Sequence, residues 1–111
     1  MSVPKSFQLI NRRWKVKVVD TTYLLNWRLS KGEKEEDIEA VKGLCHHASA
    51  TIFINKDEHT EPDDVQHTFW HEFAHALLYA QGCYSHDETV VDLQGALLAQ
   101  YFQTVRGEQD C

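Results

Sequence analysis

The stretch from His67 to Tyr79, HTFWHEFAHALLY, decides how the chain is read. Histidines recur at 67, 71 and 75, and Phe69, Phe73, Ala74, Leu77 and Leu78 lie among them. That apolar spacing has the period of a helix with one face against a core. On such a helix His71 and His75 stand on one face, about 5–6 Å apart at Cβ. Two imidazoles at that spacing reach one ion with Zn–N bonds of about 2.0–2.1 Å. Glu72 points about a third of a turn away, where it can hydrogen-bond a water on the ion rather than ligate it. This is the H-E-x-x-H arrangement of two ligands and a base. At this chain's His and Glu content the pattern arises by chance about 0.03 times per sequence. The competing reading is two ordinary polar helix residues beside a surface carboxylate. His67, one turn earlier, is expected to face solvent.

The helix limits follow from the flanks. Thr60 or Glu61 can cap its start, Pro62 sits where its missing N–H costs nothing, and Asp63 and Asp64 suit the positive end of the dipole. Gly82 supplies the stop. A second helix is expected from about Asp87 to about Val105, ending at Gly107.

A catalytic zinc needs a third protein ligand and an open fourth position. His86, Asp87, Glu88 and Asp92 lie downstream, and Glu88, at the start of the second helix, is preferred, with His86 as runner-up. Asp92 is four residues on and so on the same face, where it can accept the second N–H of a ligand histidine. Gly95, Ala96 and Ala99 continue that face and would let the two helices approach closely. Ser85-His-Asp-Glu88 also reads as a capping box, a competing use of Glu88. Tyr84 and His86 are candidate oxyanion or substrate contacts.

Upstream, FQLI and WKVKVV read as strands, with Trp14, Val16 and Val18 alternating against Lys15 and Lys17. NRR between them is a candidate hairpin turn. Tyr23, Leu24, Leu25, Trp27 and Leu29 suggest a short element, with Tyr23 and Trp27 either an exposed patch or a corner of the core. SKGEKEEDIEAVKG reads as a charged loop with at most one helical turn, mobile over about residues 30–42. GLCHHASATIFIN holds two extended pieces, TIFI being strongly strand-like and ended by Asn55. Cys45, His46 and His47 alternate in direction along a strand, so they are read as structural. The order gives an α+β fold: a small antiparallel or mixed sheet of about three strands, then two packed helices, in one domain over residues 1–111.

The 111 residues carry a net charge of −6. This excludes the basic footprint of a general nucleic-acid binder. No apolar run is long enough for a membrane span, and no signal peptide is apparent at the N-terminus. Three cysteines, an odd number without a CxxC, indicate free thiols and a cytoplasmic protein.

His71-Glu72-Phe-Ala-His75-Ala-Leu-Leu followed by Glu88 and Asp92 at the ExxxD spacing resembles the gluzincins, zinc metallopeptidases whose third ligand is Glu. The short second helix and the preceding Gly43-Leu44-Cys45 and Ile52-Phe53-Ile54 pieces resemble, more narrowly, the ImmA/IrrE family of phage and bacterial metallopeptidase-like proteins. SprT-like and minigluzincin domains are similar in plan. The match covers roughly residues 43–100, and Glu88-Thr-Val-Val-Asp92 departs from the stretch usual there in ImmA-like proteins. The resemblance implies Zn²⁺ on His71, His75 and Glu88, Glu72 as base, Asp92 behind the ligands, and a protein or peptide substrate. In that mechanism zinc brings the pKa of its water to about 7 and Glu72 takes the proton. TIFI, if an edge, would pair with the substrate backbone. The alternative is a catalytically weak or inactive zinc domain that works by protein contact.

Overall fold

In a computed structural model that describes residues 3–109, the chain forms four strands and three α-helices. They are β1 (Ser6–Leu9), β2 (Arg12–Val19), α1 (Thr21–Ser30), β3 (Gly43–His46), β4 (Thr51–Asn55), α2 (Pro62–Ala80) and α3 (Glu88–Gln109). The class is α+β, with a mixed sheet in the order β1-β2-β4-β3. β1 and β2 form an antiparallel hairpin, but its turn is Ile10-Asn11: Arg12 and Arg13 already pair with Leu9 and Gln8. Ile10 takes φ 55° there, an unusual region for a β-branched side chain. Along β2, Trp14 and Val16 are buried and Lys15 and Lys17 exposed. Val18 breaks the expected alternation: it is 53% exposed, near the end of the strand, where it lines a shallow surface cavity.

β4 runs parallel to β2 and antiparallel to β3, so TIFI is an interior strand rather than an edge. All five of its residues are buried because both faces are covered. Ile52 and Ile54 join Trp14, Val16, Phe69 and Ala76 in the core that carries α2. Phe53, on the opposite face, meets the Trp27 ring of α1 at 4.6 Å. A strand covered twice reads as a continuous apolar run, and this is why TIFI shows no alternation. The free edge on that side belongs to β3.

Parallel strands need a long crossover, and α1, a loop and β3 occupy the one between β2 and β4. Asp20 caps α1, its Oδ1 accepting the Tyr23 N–H at 2.7 Å. Leu24 is buried and Trp27 is a corner of the core, while Tyr23 is 45% exposed. The charged loop holds one turn, Glu35–Asp37. Arg28 ties it down through Glu33 Oε1 at 2.7 Å and the Glu39 carbonyl at 3.2 Å. Asn55 is the last paired residue of β4, and its side chain ties off the strand: its amide donates to Thr21 Oγ1 (3.1 Å) and the Val41 carbonyl (3.2 Å) and its Oδ1 accepts the Asp57 N–H.

α2 begins at Pro62 with Glu61 in the capping position, but no side chain makes the capping bond. Gly82 turns the chain out of α2 at φ 81°. α3 continues through Gly107 to Gln109, beyond the expected stop. A glycine ends a helix only where the backbone turns left-handed, as Gly82 does. α3 lies so close on α2 that a Cβ on Gly95 would come within 2.7 Å of His71 Cα and 2.8 Å of His71 N. No helix among the described residues is long and apolar enough to cross a membrane.

Candidate metal centre

His71 and His75 project from the middle of α2, and Glu88 from the first turn of α3 faces both. Glu88 Oε2 lies 3.3 Å from His71 Nε2, and its Oε1 lies 3.1 Å from His75 Nε2. One ligand atom from each residue falls within 4.8 Å of the others. Ligands at about 2.0–2.2 Å from one tetrahedral zinc stand roughly 3.4 Å apart, so two imidazoles and a carboxylate in this arrangement fit that ion. His71 and His75 are largely covered, whereas the Glu88 side chain is 70% exposed, so the cluster opens toward solvent on the α3 side.

Glu88 is free to face the histidines because it does not cap its own helix. Asp87 does: its Oδ1 accepts the N–H groups of Thr89 (2.9 Å) and Val90 (3.3 Å). The expected capping role of Ser85 therefore falls to Asp87. Asp92, one turn on from Glu88, places Oδ1 3.3 Å from His71 Nδ1. Gly95, buried against the backbone of His71, sets the distance between the helices that these contacts need.

Glu72 is buried, on the side of α2 toward β3. Gly43 makes room for it: a Cβ there would come within 3.1 Å of Glu72 Cγ and 2.6 Å of Thr68 Cγ2. Among the described residues no cation or hydrogen-bond donor reaches its carboxylate. Burial, reinforced by the negative charge of Glu88, pushes its pKa up to about 8. Burial lowers the His75 pKa, helped by His71 and His86 and opposed by Glu88, which favours the neutral ring a metal requires.

His86 makes contact with His75 rather than with the centre of the cluster: its Nδ1 is 2.7 Å from His75 Nδ1 and its Nε2 is 2.7 Å from the Cys83 carbonyl. Tyr84 is 65% exposed and leans on the His47 and Tyr79 rings. It does not line the cavities beside the cluster. His67 is exposed, at the wall of one of them.

Two cavities flank the cluster. One of about 450 Å³ is lined by Lys42, Asp64, His67, Thr68 and Asp92, and one of about 340 Å³ by Leu44, Cys45, His75, Tyr79 and Glu88. Both share Gly43, His71 and Glu72, so the open edge of β3 runs past the cluster from one to the other. Cys45, read from the sequence as structural, lines the second cavity, and so does Tyr79, to which the sequence reading gave no role. Tyr79 is the fourth member of the 67-71-75-79 stripe, and that spacing was the available signal. Its ring stacks on His47 at 4.4 Å, and burial raises its hydroxyl pKa. Burial also holds the Cys45 thiol well above its usual range, so it presents a neutral S–H. His46 bonds Ser49 and meets Trp27 edge-on, a structural role in keeping with expectation.

No protein-family model, no curated protein and no solved structure matches this chain.

Proposed function

We propose that the chain is a zinc metallopeptidase of the gluzincin kind, with His71, His75 and Glu88 holding the metal and Glu72 as the general base. The observation that carries this is Glu72: a buried carboxylate without a partner beside three ligand side chains. A site that binds metal only for stability has no use for such a group and prefers four protein ligands. The resemblance to ImmA/IrrE-like proteins at residues 43–100 supports the same reading.

When bound, zinc supplies Lewis acidity, which polarises a carbonyl and acidifies water. The chain's own groups do the rest. A peptide in extended form pairs with β3, the exposed edge, and lies across both cavities with its scissile bond beside Glu72. Glu72 takes a proton from the attacking water as its oxygen bonds to the carbonyl carbon. It returns that proton to the amide nitrogen as the carbon–nitrogen bond breaks. Burial makes this carboxylate a stronger base than an exposed one, and the positive charge of a bound metal would favour its ionised form, the form that takes the proton. The free thiols of Cys45 and Cys83 suit a reducing compartment, the cytoplasm.

Metal analysis of protein purified without a His tag or added zinc, followed by hydrolysis of a mixture of unstructured peptides, tests this. About one zinc per chain is expected, in the wild type and in Glu72→Gln alike. Hydrolysis should fall by about 10²–10⁴-fold in the variant. A Glu72→Gln variant as active as the wild type would sink the mechanism. A wild type that holds zinc yet cleaves nothing would favour the binding-module alternative.

A further inference from the structure

His86 lies in the turn between α2 and α3, partly buried, with both ring nitrogens engaged. The Cys83 carbonyl oxygen can only accept, so the His86 Nε2 at 2.7 Å from it carries the proton. A neutral imidazole protonated on Nε2 has its lone pair on Nδ1. The 2.7 Å contact between the two Nδ1 atoms then requires His75 to be the donor. Its other nitrogen, Nε2, faces the Glu88 carboxylate at 3.1 Å, which also can only accept; a metal held by both residues would take the place of a proton on Nε2 and leave the Nδ1–H directed at His86.

We propose that His86 is a positioning residue: by accepting the Nδ1–H of His75 it fixes that ring in the tautomer that offers Nε2 to a divalent metal. The inference rests on the metal reading above. It also gives the two ligand histidines chemically different supports, a carboxylate for His71 (Asp92, 3.3 Å) and a neutral imidazole for His75. The relay is held at its far end by the fold. Cys83 donates its N–H to the Leu78 carbonyl at 2.9 Å, in the turn that Gly82 makes, and this orients the carbonyl that His86 binds. The ring itself is stacked on His75, centroids 4.9 Å apart, and packs on Tyr79 at 4.4 Å. With both nitrogens used in this way, His86 serves the site through His75, neither as a third ligand nor as an oxyanion donor.

Two substitutions separate the acceptor from the ring. His86→Phe keeps an aromatic ring against Tyr79 and removes the acceptor. His86→Asn loses the ring but puts Oδ1 near the position of Nδ1. Two readouts apply to the full chain: the imidazole nitrogen shifts of His75 in metal-free protein, and zinc affinity by competition with a chromophoric chelator. The expectation is a His75 protonated on Nδ1 in the wild type and in His86→Asn but not in His86→Phe. Zinc binding should weaken by about 10–100-fold in His86→Phe and stay near wild type in His86→Asn. Equal zinc affinity in wild type and His86→Phe overturns the proposal. So does an equal loss in both variants, because packing and not the acceptor would then matter. A wild type that takes up no zinc overturns the metal site itself, and the nitrogen shifts, read without metal, show whether the relay failed with it.

Discussion

Glu72 buries a carboxylate that, among the described residues, no cation or hydrogen-bond donor reaches, and in the metal-free fold burial favours its protonated form. Its pKa is raised from 4.5 to about 8 by burial first and by Glu88 second. The unfolded chain releases the same proton near 4.5, so between these values the folded state holds a proton that the unfolded state has lost. The contribution to stability is therefore fully present below about 4.5 and is lost as pH rises toward about 8. His75 acts in the opposite sense, its lowered pKa costing stability as pH falls. It is common to wild type and Glu72→Gln, so the difference between the two isolates Glu72. In chelator-treated protein, the melting temperature of the wild type should decline from pH 5 to pH 8 relative to that of Glu72→Gln, which cannot titrate. Parallel pH profiles for the two proteins would show that Glu72 is not buried as an acid.

At the scale of elements, the centre depends on how closely α3 lies on α2. Gly95 has no room for even a methyl group, with His71 Cα at 2.7 Å and His71 N at 2.8 Å from a Cβ position. Both atoms are backbone and cannot swing aside. Gly95→Ala must separate the helices, at a cost of roughly 1–3 kcal/mol for an overpacked interior site. Separation also draws Glu88 and Asp92 off the histidines, so zinc affinity should fall together with the melting temperature. Ala99→Gly, at a buried contact of the same helix one turn on, relieves rather than crowds the interface; it should lower stability without a matching loss of zinc affinity. Equal zinc binding by Gly95→Ala and wild type would mean that the helix spacing does not set the site.

The small residues of α3 were legible beforehand because Gly95, Ala96 and Ala99 share a face with Glu88 and Asp92. So was the α2 ligand pair, because a period of four on a helix fixes its geometry without knowledge of the rest. What sequence alone left open depended on tertiary contact. The capping of α3 by Asp87 rather than Ser85 was decided by the geometry of a short turn. β4 as an interior strand was decided by the parallel pairing with β2, and α1 was hard to read because its apolar residues do not fall on one clean helical face: Leu24 is buried while Tyr23 and Leu29 are exposed. His86 had three open roles, and only the positions of Cys83 and His75 select among them.

At the scale of the whole molecule, the ligands join two helices in a chain of only 111 residues. A domain of this size has about 5–15 kcal/mol of stability in total. An ion that binds only the folded arrangement of α2 and α3 adds to it by mass action, about 2.7 kcal/mol at a hundred times the dissociation constant. One kcal/mol moves the midpoint of a small domain by about 4–8 °C, so zinc at that level should raise it by about 10–20 °C. Chelator should reverse the shift, and His75→Ala should abolish the response to zinc, each variant being compared with its own metal-free midpoint because the His75 side chain is largely covered. Millimolar magnesium should do little, because two imidazoles suit zinc and not a hard, oxygen-seeking ion. A midpoint that ignores zinc, or one that magnesium raises equally, would show that His71, His75 and Glu88 meet for reasons of packing alone, and would remove the basis for peptidase chemistry at Glu72.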